Sequence, residues 1–182
     1  MHAVPVVPSG VERTFGRDEI IVSKTDPRGR ITYANDVFLR VSGYAEADLL
    51  GRPHNVIRHP DMPRAVFQVL WDAIGAGDEV FAYVLNLAAD GASYWVLAHV
   101  TPTFGPDGTI VGHHSNRRWP QPAAIAAVRP LYRRLLEVER AQPTAKAAVT
   151  ASMAALREHL AGAGTTYDEL VWSIISDSER EA

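Results

Sequence analysis

Hydrophobic and polar positions along the first two thirds of the chain predict a small sheet interrupted by short helices. Two apolar runs within residues 20–34 flank an Asp-Pro-Arg-Gly turn, so this segment is expected to form a β-hairpin. Three further apolar runs, at residues 79–88, 92–104 and 109–117, are separated by turns that each contain Asp-Gly. These runs predict three more antiparallel strands.

Between the hairpin and these strands the apolar spacing changes to helical steps. Asn35 offers a helix cap before residues 37–41, a second short helix is expected over residues 45–50, and Pro63 opens a helix that extends to Ile74. Strands on both sides of small helices are typical of an α+β domain, here with a five-stranded antiparallel sheet. The short helices are expected to cover one face of the sheet, with a ligand-sized space between the two layers.

The last third of the chain is helical in pattern. Apolar residues recur at three- and four-residue steps over 125–138 and 149–160, and a capping box at Thr166 and Glu169 begins a third helix. Each helix has one apolar stripe, which must pack on the other helices, on the sheet domain or on a second chain. The sequence therefore predicts a lead-in at 1–18, an α+β domain at 19–120 and an extension of three helices at 121–182.

Composition and charge narrow the functional classes. Among 182 residues there are 18 Lys+Arg and 21 Asp+Glu, a formal net charge of −3, with no basic cluster, which argues against nucleic-acid binding. The chain has no cysteine, which excludes disulfides, thiolate nucleophiles and any flavin–cysteinyl adduct. Because neither a membrane-length apolar run nor a signal peptide is evident, we expect a cytoplasmic protein without a membrane span.

Candidate chemistry is concentrated in the irregular segment 53–63, which contains His54, Asn55 and several charged residues. Arg58 and His59 precede a helix N-terminus, where they could hold an anionic group such as a phosphate. The alternative is structural, with Asp61 capping the following helix and Arg58 pairing with Asp61.

Asn86 and two tryptophans also have alternative interpretations. Asn86 interrupts an apolar strand, so its amide either is buried and needs polar partners, such as the hydrogen-bonding edge of a flavin, or is exposed at a strand edge. Trp71 and Trp95 could line a slot for a planar cofactor, although side chains of this type more often belong to the core.

The sequence disfavours metal and catalytic sites. His54, His59, His113 and His114 follow no ligand spacing, and the adjacent pair 113–114 should point to opposite faces of a strand. No arrangement of nucleophile, base and oxyanion donor is recognisable, so we expect a protein that is not an enzyme.

Residues 20–135 resemble the flavin-binding PAS domain of bacterial aerotaxis receptors. The matching segments are Ile31-Thr32-Tyr33-Ala34-Asn35-Asp36, Val41-Ser42-Gly43-Tyr44, Gly51-Arg52-Pro53-His54-Asn55, Arg58-His59-Pro60-Asp61-Met62-Pro63, Trp71, Asn86, Asp90-Gly91, Tyr94-Trp95, Pro102 and Ala126-Ala127-Val128-Arg129-Pro130-Leu131-Tyr132.

The resemblance implies a PAS fold that binds FAD, in preference to FMN, without a covalent bond. It implies that Arg58, His59 and Asp61 help to hold the flavin, with Arg58 and His59 near the pyrophosphate. By the same resemblance, Trp71 and Asn86 belong to or border the pocket, and Asn86 would bond to the ring. The full set of predicted cofactor-binding residues is Arg58, His59, Asp61, Asn86, Trp71, His54, Asn55, Asn35 and Trp95.

The function implied is a redox or oxygen sensor that relays the flavin state through its C-terminal helices to a separate signalling protein. The apolar stripe at 125–138 either forms a homodimer, which we favour, or folds back over the sheet. Three alternatives stay open: a light sensor based on flavin photoreduction, a haem sensor and an interaction module without cofactor. The haem would be ligated by His99, His113 or His114, and the module's interior would be filled by Phe38, Trp71 and Trp95.

Overall fold

The computed structural model describes residues 6–180. The elements follow the predicted order of hairpin, short helices, three strands and three long helices. They are β1 (Ile21–Thr25), β2 (Ile31–Ala34), α1 (Asp36–Ser42), α2 (Glu46–Leu49), a 3₁₀ turn (His54–Ile57), α3 (Arg64–Ala76), β3 (Val80–Leu87), β4 (Ser93–Phe104), β5 (Ile110–Arg118), α4 (Pro122–Arg140), α5 (Ala145–Ala163) and α6 (Tyr167–Arg180).

The five strands form one antiparallel sheet in the order β2-β1-β5-β4-β3, which confirms the predicted α+β fold. Because side chains alternate between faces, Asn86 on β3 and Arg117 on β5 point to the same inner face, towards α3. Trp95 on β4 belongs to the opposite, outer face. Strand β3 lies at one edge of the sheet.

The lead-in is more ordered than its sequence suggests. It contains no helix or regular strand within its described part, residues 6–18, but Ser9 N donates to Gly91 O at 2.8 Å and Arg13 N donates to Ser93 O at 2.7 Å. Arg13 also forms an ion pair with Asp90 at 2.5 Å. This segment is therefore tied to the β3–β4 turn. Residues 1–5 of the predicted lead-in lie outside the described residues.

The three C-terminal helices enclose the edge strand β3. Helix α4 packs on the outer face, where Tyr132 Oη donates to Tyr83 O at 2.6 Å and the Tyr132 ring lies 6.1 Å from that of Trp95. Helix α6 places Trp172 against Phe81 on the same face, with ring centroids 4.8 Å apart. Helix α5 packs against α4 and, on the other side of the edge strand, against α3.

The apolar stripe over residues 125–138 is buried within its own chain. Ile125, Leu131 and Leu135 all belong to the core that α4 forms with the sheet. In the structure the stripe folds back over the sheet, which is one of the two predicted alternatives. A homodimer stays a prediction, and it would have to use another surface.

No helix within residues 6–180 is both long enough and apolar enough to cross a membrane.

Candidate functional site

A cavity of about 370 Å³ lies between the inner face of the sheet and helix α3. This volume is within the range of small-molecule sites, which are usually largely apolar with a few placed polar groups. Its apolar wall includes Ile57, Phe67, Leu70, Ile74, Val84 and Val100. Its polar wall includes Ser23, His54, Asn86, His113, Ser115 and Arg117.

Asn86 is a buried amide on this wall. Its side chain is only 3% exposed, and its Nδ2 has no hydrogen-bond partner among the described residues. Buried amides are nearly always hydrogen-bonded, so a donor left free in a cavity indicates where a ligand acceptor would bind. Of the two sequence interpretations of Asn86, burial is therefore the one observed.

Arg58 lies at the entrance beside this amide. The backbones of Arg58 and Asn86 form an isolated antiparallel bridge. Arg58 Nη2 donates to Met62 O at 2.9 Å, and the guanidinium lies 4.4 Å from the centre of the Phe67 ring. Burial lowers the pKa of Arg58, helped by the nearby charge of Arg64. The loop and α3 thus hold a partly buried cation at the edge of the cavity.

The structural alternative for Arg58 and Asp61 is wrong. Helix α3 begins after Pro63 with no side-chain cap, and Asp61 pairs with Arg140 of α4 at 2.7 Å instead. The first N–H of the helix, that of Arg64, donates to Glu139 Oε1 at 2.6 Å. A carboxylate from α4 therefore binds the helix N–H that the sequence predicts as part of an anion site. The contact between Arg64 and Glu139 joins residues that are 75 positions apart in the chain, so no local sequence pattern predicts it.

Arg58 and His59 also border a second groove, of about 630 Å³, between this loop and the α4–α5 connection. The buried His59 shapes the loop, since its Nδ1 accepts from Asp61 N at 3.0 Å, and burial lowers its pKa. The groove and the cavity share Asn55, Arg58 and Arg64 as lining residues. The two spaces therefore adjoin at two arginines.

A third group of polar side chains surrounds His54 in the cavity wall. His54 Nε2 lies 3.1 Å from Ser23 Oγ and 3.2 Å from Arg117 Nη2. Because a guanidinium can only donate, His54 Nε2 must accept and the ring proton belongs on Nδ1. Burial, together with the charge of Arg117, lowers the pKa of His54 to about 3. His54 is therefore a neutral imidazole at ordinary pH.

Sequence reasoning missed Arg117. The sequence analysis gives this residue no role beyond ending the last predicted strand, although the period of two from His113 through Ser115 places it on the same face. An arginine at an inward-facing strand position was the signal available. In the structure it is 2% exposed, and its guanidinium lies 4.7 Å from the centre of the Phe38 ring.

Trp71 lies at the cavity mouth and is 42% exposed. Its ring covers the β1–β2 turn at Gly29, where an added Cβ would come within 2.7 Å of Trp71 Cη2. The ring also meets His113 edge-on at 5.7 Å. Trp71 is thus a mouth residue and not part of the core.

Four of the nine predicted binding residues do not line the cavity: His59 lines only the second groove, Asp61 lines neither space, and Trp95 and Asn35 lie elsewhere. Trp95 is on the outer face of the sheet, 5.3 Å from the Arg129 guanidinium, so the expected ring slot does not include it. Period-two alternation separates Tyr94 from Trp95 but does not say which ring points inward. Asn35 is a structural cap, whose Oδ1 accepts from Phe38 N at 3.0 Å and Val22 N at 2.9 Å.

The histidines give no metal cluster within residues 6–180. Of the three candidates for a haem ligand, His113 alone lines the cavity. His99 stacks on Phe81 with ring centroids 4.2 Å apart, and His114 bonds to Asn116 at 3.0 Å.

The known proteins that this chain is similar to share its sheet domain. A family model described as the PAS fold matches residues 31–115. The aerotaxis receptor of Escherichia coli (strain K12) is 42% identical over 118 residues, which cover 65% of this chain and 23% of that protein. The nitrogen fixation regulatory protein of Klebsiella pneumoniae is 33% identical over 91 residues, which cover 50% of this chain and 18% of that protein.

A solved structure gives the same fold. The light-state structure of the blue-light photoreceptor Aureochrome1 LOV has a TM-score of 0.56 and 24% identity, over 60% of this chain and 88% of that one. The chain spans about a quarter or less of the length of the two curated relatives named above. From the family match together with the similarity to the aerotaxis receptor, this chain carries a PAS-fold domain over residues 31–115.

Proposed function

We propose that this protein is a cytoplasmic sensor whose PAS domain binds a flavin without a covalent bond and signals its redox state. The observation that carries the proposal is the free Nδ2 of buried Asn86 in a largely apolar cavity. A flavin ring is flat and apolar, with a polar edge that both donates and accepts hydrogen bonds. The similarity to a protein named an aerotaxis receptor supports the same class of function.

The flavin that we propose is FAD. The ring would occupy the cavity, and the remainder of a dinucleotide would need an adjoining space lined by cations. The second groove meets the cavity at Arg58 and Arg64. Glu139 also lines this groove and pairs with Arg64 at 3.8 Å, so Arg58 is the residue whose planar guanidinium group would bind a pyrophosphate. FMN would leave the groove unused.

Redox state would be relayed through contacts between the site and the C-terminal helices. Tyr132 of α4 bonds to Tyr83 O, three residues from Asn86 on the same strand. Glu139 of α4 holds the N-terminus of α3, and Val149 of α5 lines the cavity itself. Reduction changes which atoms of the ring donate, so an amide that turns to follow it would shift β3 against α4. The helices would then pass this change to a separate signalling protein.

The cavity argues against an interaction module with a filled interior. In that alternative Phe38, Trp71 and Trp95 would occupy the space, but Trp71 lies at the mouth and Trp95 lies on the opposite face. Two residues of the cavity wall, Asn86 and Arg117, each have a buried nitrogen, Nδ2 and Nη1, without a hydrogen-bond partner in the described residues.

The test is the absorption spectrum of the purified full chain, followed by heat release and chromatography of any bound compound. We expect flavin bands and release of FAD. The Asn86→Ala variant should lose most of the flavin, whereas Asn116→Ala, on the outer face, should keep it. A Soret band would indicate haem instead. A colourless protein that takes up neither FAD nor FMN would contradict the proposal.

A further inference from the structure

Arg117 is a buried cation in the cavity wall without a counter-charge. Its Nε donates to Ser115 Oγ at 3.1 Å, its Nη2 donates to Ser23 Oγ, and its Nη1 has no partner in the described part of the chain. None of the ion pairs formed within residues 6–180 involves Arg117. Burying an unpaired charge is costly, and burial lowers the pKa of Arg117 to about 10.

The groups around this guanidinium are neutral. His54 holds no proton on Nε2, for the reason given above, and burial raises the pKa of Tyr94, so its phenol is not ionised. The face of the Phe38 ring attracts the cation but carries no net charge. His113 and Ser115, on the same strand, add no negative charge. The protein therefore leaves the positive charge of Arg117 uncompensated on the inner wall of the cavity.

We propose that Arg117 is the counter-charge for a ligand that carries negative charge inside this cavity. Resting on the proposed function, the inference specifies the redox form that the site prefers. An oxidised flavin ring is neutral. Uptake of two electrons and one proton leaves the reduced ring with one negative charge, shared by N1 and the neighbouring carbonyl oxygen. Arg117 thus makes the cavity bind reduced flavin more tightly, relative to oxidised flavin, than a neutral wall would.

The test is the midpoint potential of the FAD-loaded full chain, with dithionite as electron donor. Arg117→Gln removes the charge, Arg117→Lys keeps it, and Arg118→Gln is a control at the exposed next residue. We expect Arg117→Gln to weaken binding of reduced FAD about tenfold or more relative to oxidised FAD. Each tenfold loss lowers the potential of a two-electron couple by about 30 mV. Arg117→Lys should recover much of this loss, and Arg118→Gln should match the wild type.

Two results would overturn the inference. One is an Arg117→Gln protein that binds FAD with an unchanged potential. The other is an equal loss of affinity for oxidised and for reduced FAD in that variant. The charge should have little effect on the affinity for a neutral oxidised ring.

A second measurement needs no flavin. If Arg117 is an uncompensated charge, the Arg117→Met apoprotein should melt at the same temperature as the wild-type apoprotein or higher, because an apolar side chain replaces the buried cation. A clear fall in melting temperature would show that Arg117 is needed by the fold alone and would contradict the inference. If the wild type takes up no flavin, the proposed function fails, whereas the apoprotein comparison still tests the charge.

Discussion

At the scale of single residues, the cavity contains two buried polar groups of different kinds. Asn86 is neutral and can donate or accept, whereas Arg117 is charged and can only donate. Nδ2 of the first and Nη1 of the second lack partners within the described residues. Both residues line the cavity, so these are the two unpaired donors that the proposed ligand would be expected to contact. They should respond differently to substitution.

Replacing Asn86 by Leu should lower flavin affinity about tenfold, which corresponds to one net hydrogen bond. The apoprotein should be nearly as stable as the wild type, since the variant removes a buried amide whose Nδ2 is already unpaired. Fluorescence titration of FAD into the apoprotein measures the affinity. Equal affinities for wild type and variant would show that the amide does not contact the flavin.

His54 makes the stability of the apoprotein depend on pH. Its folded-state pKa of about 3 lies below the ordinary value of 6.5, so the unfolded chain binds a proton that the folded chain excludes. The contribution of His54 is therefore fully present above about pH 6.5 and is lost as the pH falls towards 3. Between these limits one such group costs up to about 1.4 kcal/mol per pH unit.

Urea unfolding of the apoprotein between pH 7 and pH 4 checks this. The His54→Gln variant should lose less stability than the wild type over that interval, because glutamine can still accept from Arg117 but does not titrate. Identical pH slopes for the two proteins would mean that folding does not lower the pKa of His54.

At the scale of elements, two ion pairs of very different burial connect α4 to the 58–64 segment. Glu139 is 8% exposed, pairs with Arg64 Nε at 3.8 Å and also accepts from the backbone N–H of Arg64, while Arg140 and Asp61 pair on the surface. Exposed ion pairs stabilise proteins little, whereas leaving a buried donor unpaired is costly. The contact through Glu139 should therefore hold α4 against the 58–64 segment.

Glu139→Ala should lower the free energy of unfolding by about 1–3 kcal/mol, because the Arg64 N–H loses its acceptor. The matched variant Arg140→Ala, on the next residue of the same helix, should cost less than about 1 kcal/mol. Equilibrium unfolding in urea compares them. Similar losses in the two variants would contradict the assigned role of Glu139.

Elements with local signals were predictable from the sequence. Asn35 caps α1 through its side chain, and Glu169 Oε2 accepts from Thr166 N at 2.8 Å in the expected capping box. Both depend on residues within three positions of each other, as do the turns of the sheet. The contact of Glu139 with α3 and the packing of α5 on α3 depend on residues far apart along the chain.

The candidate site was also predictable only in part from the sequence. The motif residues Arg58, Asn86 and Trp71 do come together at the cavity. The burial of Arg117 was not foreseen, because it depends on which face of β5 meets α3. Trp95 is in the predicted binding set because alternation alone does not show which face of β4 its ring is on.

At the scale of the whole molecule, the helical extension is continuous with the PAS domain. Helices α4 and α6 cover the outer face of β3, and α5 reaches the mouth of the cavity through Val149. Removing residues 121–182 would expose Tyr83 and Trp95, which are buried. Signal transfer is therefore better tested by point substitutions in the full chain.

Tyr132→Phe removes one hydrogen bond, that of Tyr132 Oη to Tyr83 O, and leaves the ring packing intact. We expect about 1 kcal/mol lower stability, unchanged flavin content and a weaker effect of flavin reduction on α4. Hydrogen exchange of α4 with oxidised and with reduced flavin measures that effect. If the exchange rates of α4 differ between the two flavin states as much as they do in the wild type, the signal does not pass through this bond.

The crystal structure of the full chain with FAD bound tests the central claim most directly. The account predicts the ring in the cavity between α3 and the sheet, with Asn86 Nδ2 donating to the ring edge. It also predicts the pyrophosphate beside Arg58 and the adenosine half in the groove next to the α4–α5 connection. A flavin bound elsewhere on the molecule, or a ring in the cavity that makes no contact with Asn86, would contradict it.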